Sequence, residues 1–373
     1  MKQKLVELPE YGHETATCTF CPKMCRFACP VDRVEGSEAS SPWGKMTMLR
    51  HLQTGEVPLD QGVLASAYKC TGCLACKQAC LHGQELPPVF EAVRALAASR
   101  GLAHPKLAEK DEAMRLWGNP VGPKLSEELA RRVPPSRFLR PAPVLVFFGC
   151  TTVKRFPNVL EETVRVLEAA GLDFAVAGPE KLCSGLPSLS HGYPDRFREV
   201  ALRNIALFAN HARIVSDCPG AVSTFARKYP ELGLPAHSKP EHLSVLLLEL
   251  VRAGRLSPRL GRVRRAFYHD ACHLGRYLGV YDQPRELLER GLGRKVEELA
   301  FHREMGLCSG GGGGLPLTNP ELAAGIARLP VEEVRARGGD LLVSACPSAR
   351  RRFQKADPDL EIVDPVSLLA AAL

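Results

Sequence analysis

The sequence predicts an α+β protein in which a mostly helical N-terminal domain precedes two repeated α/β modules with parallel sheets. Eight of the 14 cysteines fall within the first 80 residues, which sets this segment apart from the rest. From about residue 141, short apolar strands alternate with amphipathic helices, as in parallel sheets flanked by helices. The same order of strands, helices and cysteines recurs from about residue 266, so the α/β module is present twice.

These changes divide the 373 residues into an N-terminal cysteine-rich domain (1–100), a linker with a helix (101–140), a first repeat (141–260) and a second repeat (261–373). In the N-terminal domain, Ser41 and Pro42 predict the start of a helix over "WGKMTMLRHL" that ends near Gly55. A second helix is predicted at "PPVFEAVRALAASRG". The Pro- and Arg-rich loop "RRVPPSRFLRPAP" indicates a domain boundary.

The sequence of each repeat predicts alternating strands and helices. The first repeat predicts strands at "PVLVFFGC", "LDFAVAG" and "RIVSDCPG", with helices at "NVLEETVRVLEAAG", "DRFREVALRNIALFANHA" and "AVSTFARKYPELG". The second repeat predicts strands at "AFYHDAC", "KVEELA" and "DLLVSACPSA", with helices at "QPRELLERG" and "PELAAGIARLPVEEVRARGG". In both repeats this alternation predicts a parallel sheet.

Composition narrows the class of protein. The hydrophobic fraction of 45% and the net charge of +8 are ordinary for a folded chain, and no basic motif interleaved with aromatics indicates a nucleic-acid partner. The N-terminus has no apolar signal core, and the longest apolar runs are too short to cross a bilayer. We therefore expect a cytoplasmic protein, soluble or peripheral on the inner face of the membrane. The arginines of the stretch 252–265 are either a solvated connection or a docking surface for an acidic partner or anionic lipid.

Fourteen cysteines without a secretion signal indicate metal or redox chemistry rather than structural disulfides. The stretch "CTGCLACKQAC" has the spacing C-x2-C-x2-C-x3-C, which is typical of a loop around a [4Fe–4S] cubane. Zinc sites usually use two separated pairs instead. This stretch supplies Cys70, Cys73, Cys76 and Cys80.

A second stretch, "CTFCPKMCRFACP", has one extra residue between its second and third cysteines and predicts another cubane. In two-cluster ferredoxins the fourth cysteine of each run ligates the other cluster. Crossed ligation would give one cluster from Cys18, Cys21, Cys25 and Cys80, and another from Cys70, Cys73, Cys76 and Cys29. Two neighbouring [4Fe–4S] clusters make a path for single electrons.

The other six cysteines form two matching sets. Their spacing between repeats is 122, 125 and 128 residues, and their local contexts match. Strand ends of a parallel sheet gather at one edge, where ligands usually bind, so each repeat is predicted to bring three thiols together. The sets are Cys150, Cys183 and Cys218, then Cys272, Cys308 and Cys346.

With these motifs in place, the sequence resembles a known family. A two-cluster ferredoxin segment followed by two cysteine-containing α/β repeats is similar to the iron–sulfur subunits of glycolate oxidase and anaerobic glycerol-3-phosphate dehydrogenase, to lactate-utilisation proteins and to heterodisulfide reductase. The resemblance covers most of the chain and is carried best by "SPWGKMTMLRHLQTGEV", "HDACHL" and "CSGGGGG". It implies repeats of the Cys-Cys-Gly (CCG) type, which in heterodisulfide reductase hold a non-cubane [4Fe–4S] cluster on five cysteines.

Both repeats depart from that five-cysteine pattern in the same way. Ser184 and Ser309 stand where the resemblance implies the second cysteine of a pair, and Ala221 and Ala349 stand at the closing cysteines. Three interpretations of the remaining thiols stay open: a cubane on three thiolates, a structural zinc site with a histidine, or a site without metal. The candidate fourth ligands are His273, which is adjacent to Cys272, and also His191, His269, Ser184 and Ser309.

The stretch "LCSGGGGGLP" lacks the Gly-Lys-Ser/Thr ending of a Walker loop. Glycine allows close approach of the backbone, so this run is predicted to wrap a cluster and direct N–H groups at its sulfides, although a plain flexible loop is an alternative.

The resemblance implies an iron–sulfur electron-transfer subunit of a flavin-dependent 2-hydroxy-acid or glycerol-phosphate dehydrogenase complex. The chain has no flavin or nicotinamide fingerprint, so a separate flavoprotein partner is expected, with quinone or a membrane-associated acceptor downstream. The alternatives are a thiol–disulfide reductase similar to heterodisulfide reductase, and a redox-inactive metal-binding or assembly protein.

Overall fold

A computed structural model describes residues 5–138, 140–178, 183–259 and 265–373. Among the described residues 5–100, the chain forms helices joined by loops and no strand. The Oγ of Ser41 accepts a hydrogen bond from the Gly44 N–H at 3.0 Å, and Gly55 ends the same helix at φ 77°, as predicted. The helices are α1 (Gly12–Thr19), α2 (Pro30–Glu35), α3 (Pro42–Thr54), α4 (Gln61–Ala67), α5 (Ala75–Gln78) and α6 (Pro87–Ser99).

The segment predicted as a linker forms two packed helices, α7 (Pro105–Trp117) and α8 (Lys124–Arg132). Leu107 of α7 joins the apolar core of α3, α4 and α6. Leu125 and Leu129 of α8 join the core of the first repeat. The segment therefore ties the N-terminal domain to the repeats by burial of apolar surface.

The first repeat is a four-stranded parallel sheet in the order β2-β1-β3-β4. Val144 of the central strand β1 pairs with Phe174 on one side and Arg213 on the other. The strands are β1 (Val144–Val146), β2 (Phe174–Val176), β3 (Arg213–Ser216) and β4 (Lys239–His242). The helices are α9 (Cys150–Arg155), α10 (Asn158–Ala169), α11 (Leu186–His191), α12 (Pro194–Phe208), α13 (Pro219–Arg227) and α14 (Leu243–Arg252).

The second repeat has the same topology, with a parallel sheet in the order β6-β5-β7-β8. The strands are β5 (Ala266–His269), β6 (Glu297–Glu298), β7 (Leu341–Ser344) and β8 (Glu361–Val363). The helices are α15 (Cys272–Leu278), α16 (Asp282–Leu292), α17 (Leu315–Thr318), α18 (Pro320–Ala336), α19 (Pro347–Ala356) and α20 (Pro365–Ala371). The predicted architecture, a helical N-terminal domain followed by two α/β repeats with parallel sheets, is thus confirmed.

The repeats differ from the prediction in several elements, and the helices α9, α11, α14, α15, α17, α19 and α20 were not predicted. The edge strands β4 and β8 were not predicted, since "KPEH" and "EIV" have only four and three residues and "KPEH" is polar as well. Cys150 does not end strand β1, because the strand ends at Val146 and Cys150 begins α9. The thiol still lies at the carboxyl edge of the sheet.

The two repeats share an apolar core. Leu246 of α14 and Leu160 of α10 lie in the same buried cluster as Leu287 of α16 and Val366 and Leu369 of α20. This continuous packing holds the two sheets in a fixed relationship. The thiols of one repeat therefore keep a defined position relative to those of the other.

The basic stretch between the repeats is largely occupied by internal contacts. Arg252 pairs with Glu286, the Nε of Arg255 donates to the Ala170 carbonyl at 2.8 Å, and Arg265 pairs with Glu297 at 2.7 Å. Arg262 and Arg264 lie outside the described residues. Arg252, Arg255 and Arg265 are therefore engaged in contacts within the chain.

Candidate metal centres

The first group of thiols lies at the surface of the N-terminal domain. Burial, followed by the neighbouring thiols of Cys25, Cys80 and Cys21, raises the pKa of Cys18 to about 12. Burial also raises the pKa of Cys25 to about 11, and Cys80 is again among its neighbours. Cys18, Cys21, Cys25 and Cys80 line one recess of about 560 Å³ together with Trp43, and Cys76 also lines it.

The second group lies deeper. Cys29 and Cys73 are buried, and burial raises the pKa of both Cys29 and Cys70. The Cys76 thiol also has a raised pKa, from burial and from the thiols of Cys73, Cys70 and Cys29. The structure thus brings Cys29 to the run that begins at Cys70, whereas Cys80 lies with Cys18 and Cys25.

Two buried cations flank the second group. Lys45 is 2% exposed, and it is the strongest influence opposing the effect of burial on the pKa of Cys29 and Cys70. Arg94 is also 2% exposed, and it donates to the Cys70 carbonyl at 2.9 Å and to the Ala67 carbonyl at 2.7 Å. Neither cation was singled out from the sequence. Their burial, which depends on tertiary packing, gives no sequence signal.

Both cysteine loops contain a residue other than glycine in the left-handed region. Lys23 lies between Cys21 and Cys25 at φ 58°, and Leu74 lies between Cys73 and Cys76 at φ 60°. This conformation costs about 1–3 kcal/mol and persists only where the surroundings enforce it. Its occurrence in both loops fits chain segments that fold tightly around a ligand.

In the first repeat, the three predicted cysteines gather where β1 and β3 end side by side. Cys150 follows β1, Cys218 follows β3, and the neighbouring thiol of Cys183 is the largest influence raising the pKa of Cys150. Gly149 allows this arrangement, since a Cβ there would lie 2.7 Å from the Cys218 Cβ. Burial and then Asp217 raise the pKa of Cys218 to about 12.

The second repeat repeats this arrangement at the ends of β5 and β7. Cys308 packs in one buried cluster with Cys272 and with Cys73 of the N-terminal domain, and both neighbouring thiols influence its pKa, Cys272 the more strongly. Cys346 has a pKa raised to about 12 by burial and then by Cys218 of the first repeat. The two three-thiol groups therefore face each other, and the second group also touches the N-terminal domain.

The five-glycine run makes this last contact possible. A Cβ on Gly313 would lie 2.0 Å from the Cys70 carbonyl oxygen, and one on Gly312 would lie 2.3 Å from that of Thr71. Within the run, the Gly310 N–H donates to the Cys308 Sγ at 3.4 Å. This contact is to a cysteine thiol, so the wrapping of a cluster by the run stays a prediction, whereas Gly312 and Gly313 serve close packing of two backbones.

The candidate histidine ligands have other partners. His269 is buried and uses both ring nitrogens, with the Ser344 Oγ at 3.0 Å and the Leu307 carbonyl at 2.9 Å. The Nδ1 of His273 lies 2.7 Å from the Ser223 Oγ. Burial lowers the pKa of both histidines to about 4, and that of His191 to about 3, which keeps all three neutral at pH 7.

The donor sets fit iron–sulfur clusters. Thiolates are the ligands these clusters use, and iron replaces the thiol protons that burial otherwise retains. Backbone N–H groups also point at the sulfurs, at 3.4 Å for Gly72 to Cys70 and for Gly185 to Cys183. Within the described ranges, no group of three or more His, Cys, Asp or Glu side chains is arranged around a single metal ion.

The fold and the cysteine groups define a class of protein. The family description "4Fe-4S dicluster domain" matches residues 14–83, and "Cysteine-rich domain" (CCG) matches residues 144–225 and 266–350. The chain belongs to the CCG-domain iron–sulfur oxidoreductases. It is an electron-transfer protein that carries [4Fe–4S] clusters.

The relatives include components of larger redox systems. The chain is 26% identical to one subunit of the dihydromethanophenazine:CoB–CoM heterodisulfide reductase of Methanosarcina mazei, over 96% of this chain and 94% of that one. It is 28% identical to the EtfAB:quinone oxidoreductase of Syntrophomonas wolfei, over 81% and 46%. It is 32% identical to the probable iron–sulfur-binding oxidoreductase FadF of Bacillus subtilis, over 56% and 30%. Across the described residues, no helix is long and apolar enough to span a membrane.

Proposed function

We propose that this chain is the iron–sulfur subunit of a flavin-dependent dehydrogenase complex and relays electrons from a flavoprotein towards an acceptor such as quinone. The packing of Cys73 with Cys308 in one buried cluster carries this proposal, because it joins the dicluster domain directly to the second repeat. The names of the relatives, which include a quinone oxidoreductase, support the same assignment.

We assign the ligands by the grouping of the thiols. Cys18, Cys21, Cys25 and Cys80 would hold the outer cluster, and Cys29, Cys70, Cys73 and Cys76 the inner one. When bound, each cluster accepts and releases one electron at a time. The three-thiol groups of the repeats are proposed to hold further iron–sulfur clusters, with the second repeat next to the inner cluster.

The outer thiol group offers the entry surface for a flavoprotein. Phe20 is 86% exposed, Phe27 68% and Leu81 90%, and Leu81 lines the recess that holds the outer thiols. Large apolar side chains this exposed often mark interaction sites. A partner docked there would bring its flavin close to the outer cluster.

Metal analysis tests the cofactor assignment. Anaerobically purified protein with clusters in the dicluster domain alone should contain about eight irons per chain, and additional clusters in both repeats about sixteen, on cubane stoichiometry. The spectroscopic type then distinguishes cubanes from other clusters. Zinc in place of the additional iron would overturn the proposal for the repeats and leave the dicluster assignment intact.

The partner is tested separately. Full-length protein should bind a flavoprotein that reduces the clusters when its own substrate is added. The Phe20→Ser/Leu81→Ser variant should lose that reduction, whereas Leu116→Ser, at a 51% exposed residue of α7, should retain it. Equal reduction of all three proteins would contradict the docking surface.

A second function, thiol–disulfide reduction, is favoured by the facing thiol groups of the repeats. After burial, the thiol of Cys218 is the largest influence raising the pKa of Cys346, and Cys346 lines a cavity of about 390 Å³ between the repeats. Turnover of a disulfide by the isolated, prereduced chain would establish this function. Absence of turnover in a protein with intact clusters would favour electron relay alone.

A further inference from the structure

A group of four cations lies where the last turn of α9 meets α19. Arg155 ends α9, and Arg351, Arg352 and Lys355 lie on α19. The two helices are held together by Arg350, whose guanidinium lies 4.2 Å from the centre of the Phe156 ring. We call Arg155, Arg351, Arg352 and Lys355 the basic cluster.

The basic cluster stands out because most arginines of the described residues have acidic partners. Its neighbours follow that rule, since Arg335 pairs with Asp357 at 2.6 Å and Arg350 pairs with Asp364. The ion pairs of the described chain include none from the four cluster side chains. The Nε of Arg352 is buried and has no hydrogen-bond partner.

The four cations also repel one another. Burial and then the charges of Arg155 and Arg352 lower the pKa of Arg351. The charge of Arg351 is the largest influence lowering the pKa of Lys355. Like charges held together without a counter-charge, and a buried donor without an acceptor, both cost stability. A bound oxyanion would remove both costs.

We propose that the basic cluster binds a phosphate group. Arginine presents a planar fork of donors that matches phosphate oxygens, and three arginines with one lysine suit a multiply charged, compact anion. The phosphate is either that of a small molecule or that of a lipid head group. Because α9 begins at Cys150 and α19 directly follows Cys346, the bound anion would bridge helices that carry thiols of both repeats.

Pyrophosphate and inorganic phosphate are the probes, titrated into the cluster-loaded full-length protein at low ionic strength. Arg351→Gln/Arg352→Gln should weaken pyrophosphate binding by about tenfold or more, since two charge-assisted contacts are lost. Arg198→Gln/Arg328→Gln is the matched control, because it removes two exposed arginines from α12 and α18 and should leave binding unchanged.

Thermal unfolding without added phosphate provides a readout of folding. Removal of two mutually repelling charges should leave the unfolding temperature of Arg351→Gln/Arg352→Gln equal to or above that of the wild type. A lower unfolding temperature would show that these arginines stabilise the native fold themselves, which would overturn the proposal. Equal pyrophosphate affinity of all variants would overturn it as well, as would equal stabilisation by chloride at matched ionic strength.

Vesicles distinguish the source of the phosphate. Binding to phosphatidylcholine vesicles only when they contain phosphatidic acid, with no binding of free pyrophosphate or phosphate, would assign a lipid head group. Binding of the free anions would assign a small molecule. Loss of the vesicle interaction in Arg351→Gln/Arg352→Gln, and its retention in Arg198→Gln/Arg328→Gln, is required for the lipid assignment. No binding in either arm would overturn the proposal.

Discussion

The side chain of Cys73, in the N-terminal domain, packs in one buried cluster with that of Cys308, which lies 235 positions later and begins the glycine-rich loop of the second repeat. Helix α15 of the second repeat supports this contact, because the Nε of Arg276 donates to the Cys73 carbonyl at 2.6 Å and the hydroxyl of Tyr277 donates to the Gly72 carbonyl at 2.7 Å. The two domains therefore meet at their cysteine loops.

Gly313→Ala should separate these loops. The new Cβ would lie 2.0 Å from the Cys70 carbonyl oxygen, so one backbone must move. Overpacking of this kind typically costs about 1–3 kcal/mol. Gly293→Ala is the control, since Gly293 has a similar φ of +66° but nothing within 4 Å of its added Cβ. Chemical denaturation should show a larger loss for Gly313→Ala, and equal losses would rule out the close approach.

Tyr277→Phe should remove one contact and keep the packing. The ring stays stacked on His273, with its centroid 4.3 Å away, but the Gly72 carbonyl loses its donor. We expect a loss of about 1 kcal/mol in the free energy of unfolding. Tyr281→Phe serves for comparison. A neutral Tyr277→Phe change would mean that water replaces the hydroxyl at no cost.

Lys45→Met should lower the reduction potential of the inner cluster. Lys45 is buried beside Cys29 and Cys70, and a nearby positive charge favours the reduced, more negative state of a cluster. Redox titration followed by electron paramagnetic resonance should show a shift of roughly tens of millivolts. Lys69→Met, at a partly exposed lysine that pairs with Glu35 at 2.8 Å, should shift it less. An unchanged potential in Lys45→Met would place the inner cluster away from Lys45.

His242→Asn should reduce the sensitivity of the fold to acid. Burial lowers the pKa of His242 to about 4, below the value of 6.5 expected in the unfolded chain. The unfolded chain therefore binds more protons between pH 6.5 and 4, and stability falls as the pH is lowered through this window, by roughly 3 kcal/mol for this group.

Asparagine suits this position because the His242 side chain accepts a hydrogen bond from the Ser244 N–H at the start of α14, and asparagine can do the same. Unfolding measured across the window should give a flatter slope for His242→Asn. His13→Asn, at an exposed histidine, should keep the wild-type slope. The same slope in His242→Asn and wild type would show that His242 does not titrate with unfolding.

Local pattern was sufficient for much of the fold. Proline and serine at the start of α3, and glycine after it, specify that helix through cap chemistry that acts over a few residues. Strands β4 and β8 escaped prediction because they are edge strands of three or four residues, and their formation depends on pairing with β3 and β7. A stretch of three or four residues is too short to show the alternation of apolar and polar residues that predicts a strand.

The sequence by itself determined the class of protein. The spacing of cluster-ligating cysteines is a local property of the sequence. Both cysteine runs and the duplicated three-cysteine pattern could therefore be recognised along the chain. Only the tertiary structure decided that Cys73 meets Cys308, that Lys45 lies buried beside the inner thiols, and that the glycine run packs on the Cys70 loop. These contacts join residues far apart in the chain, and they arise from packing of whole domains, which no local pattern encodes.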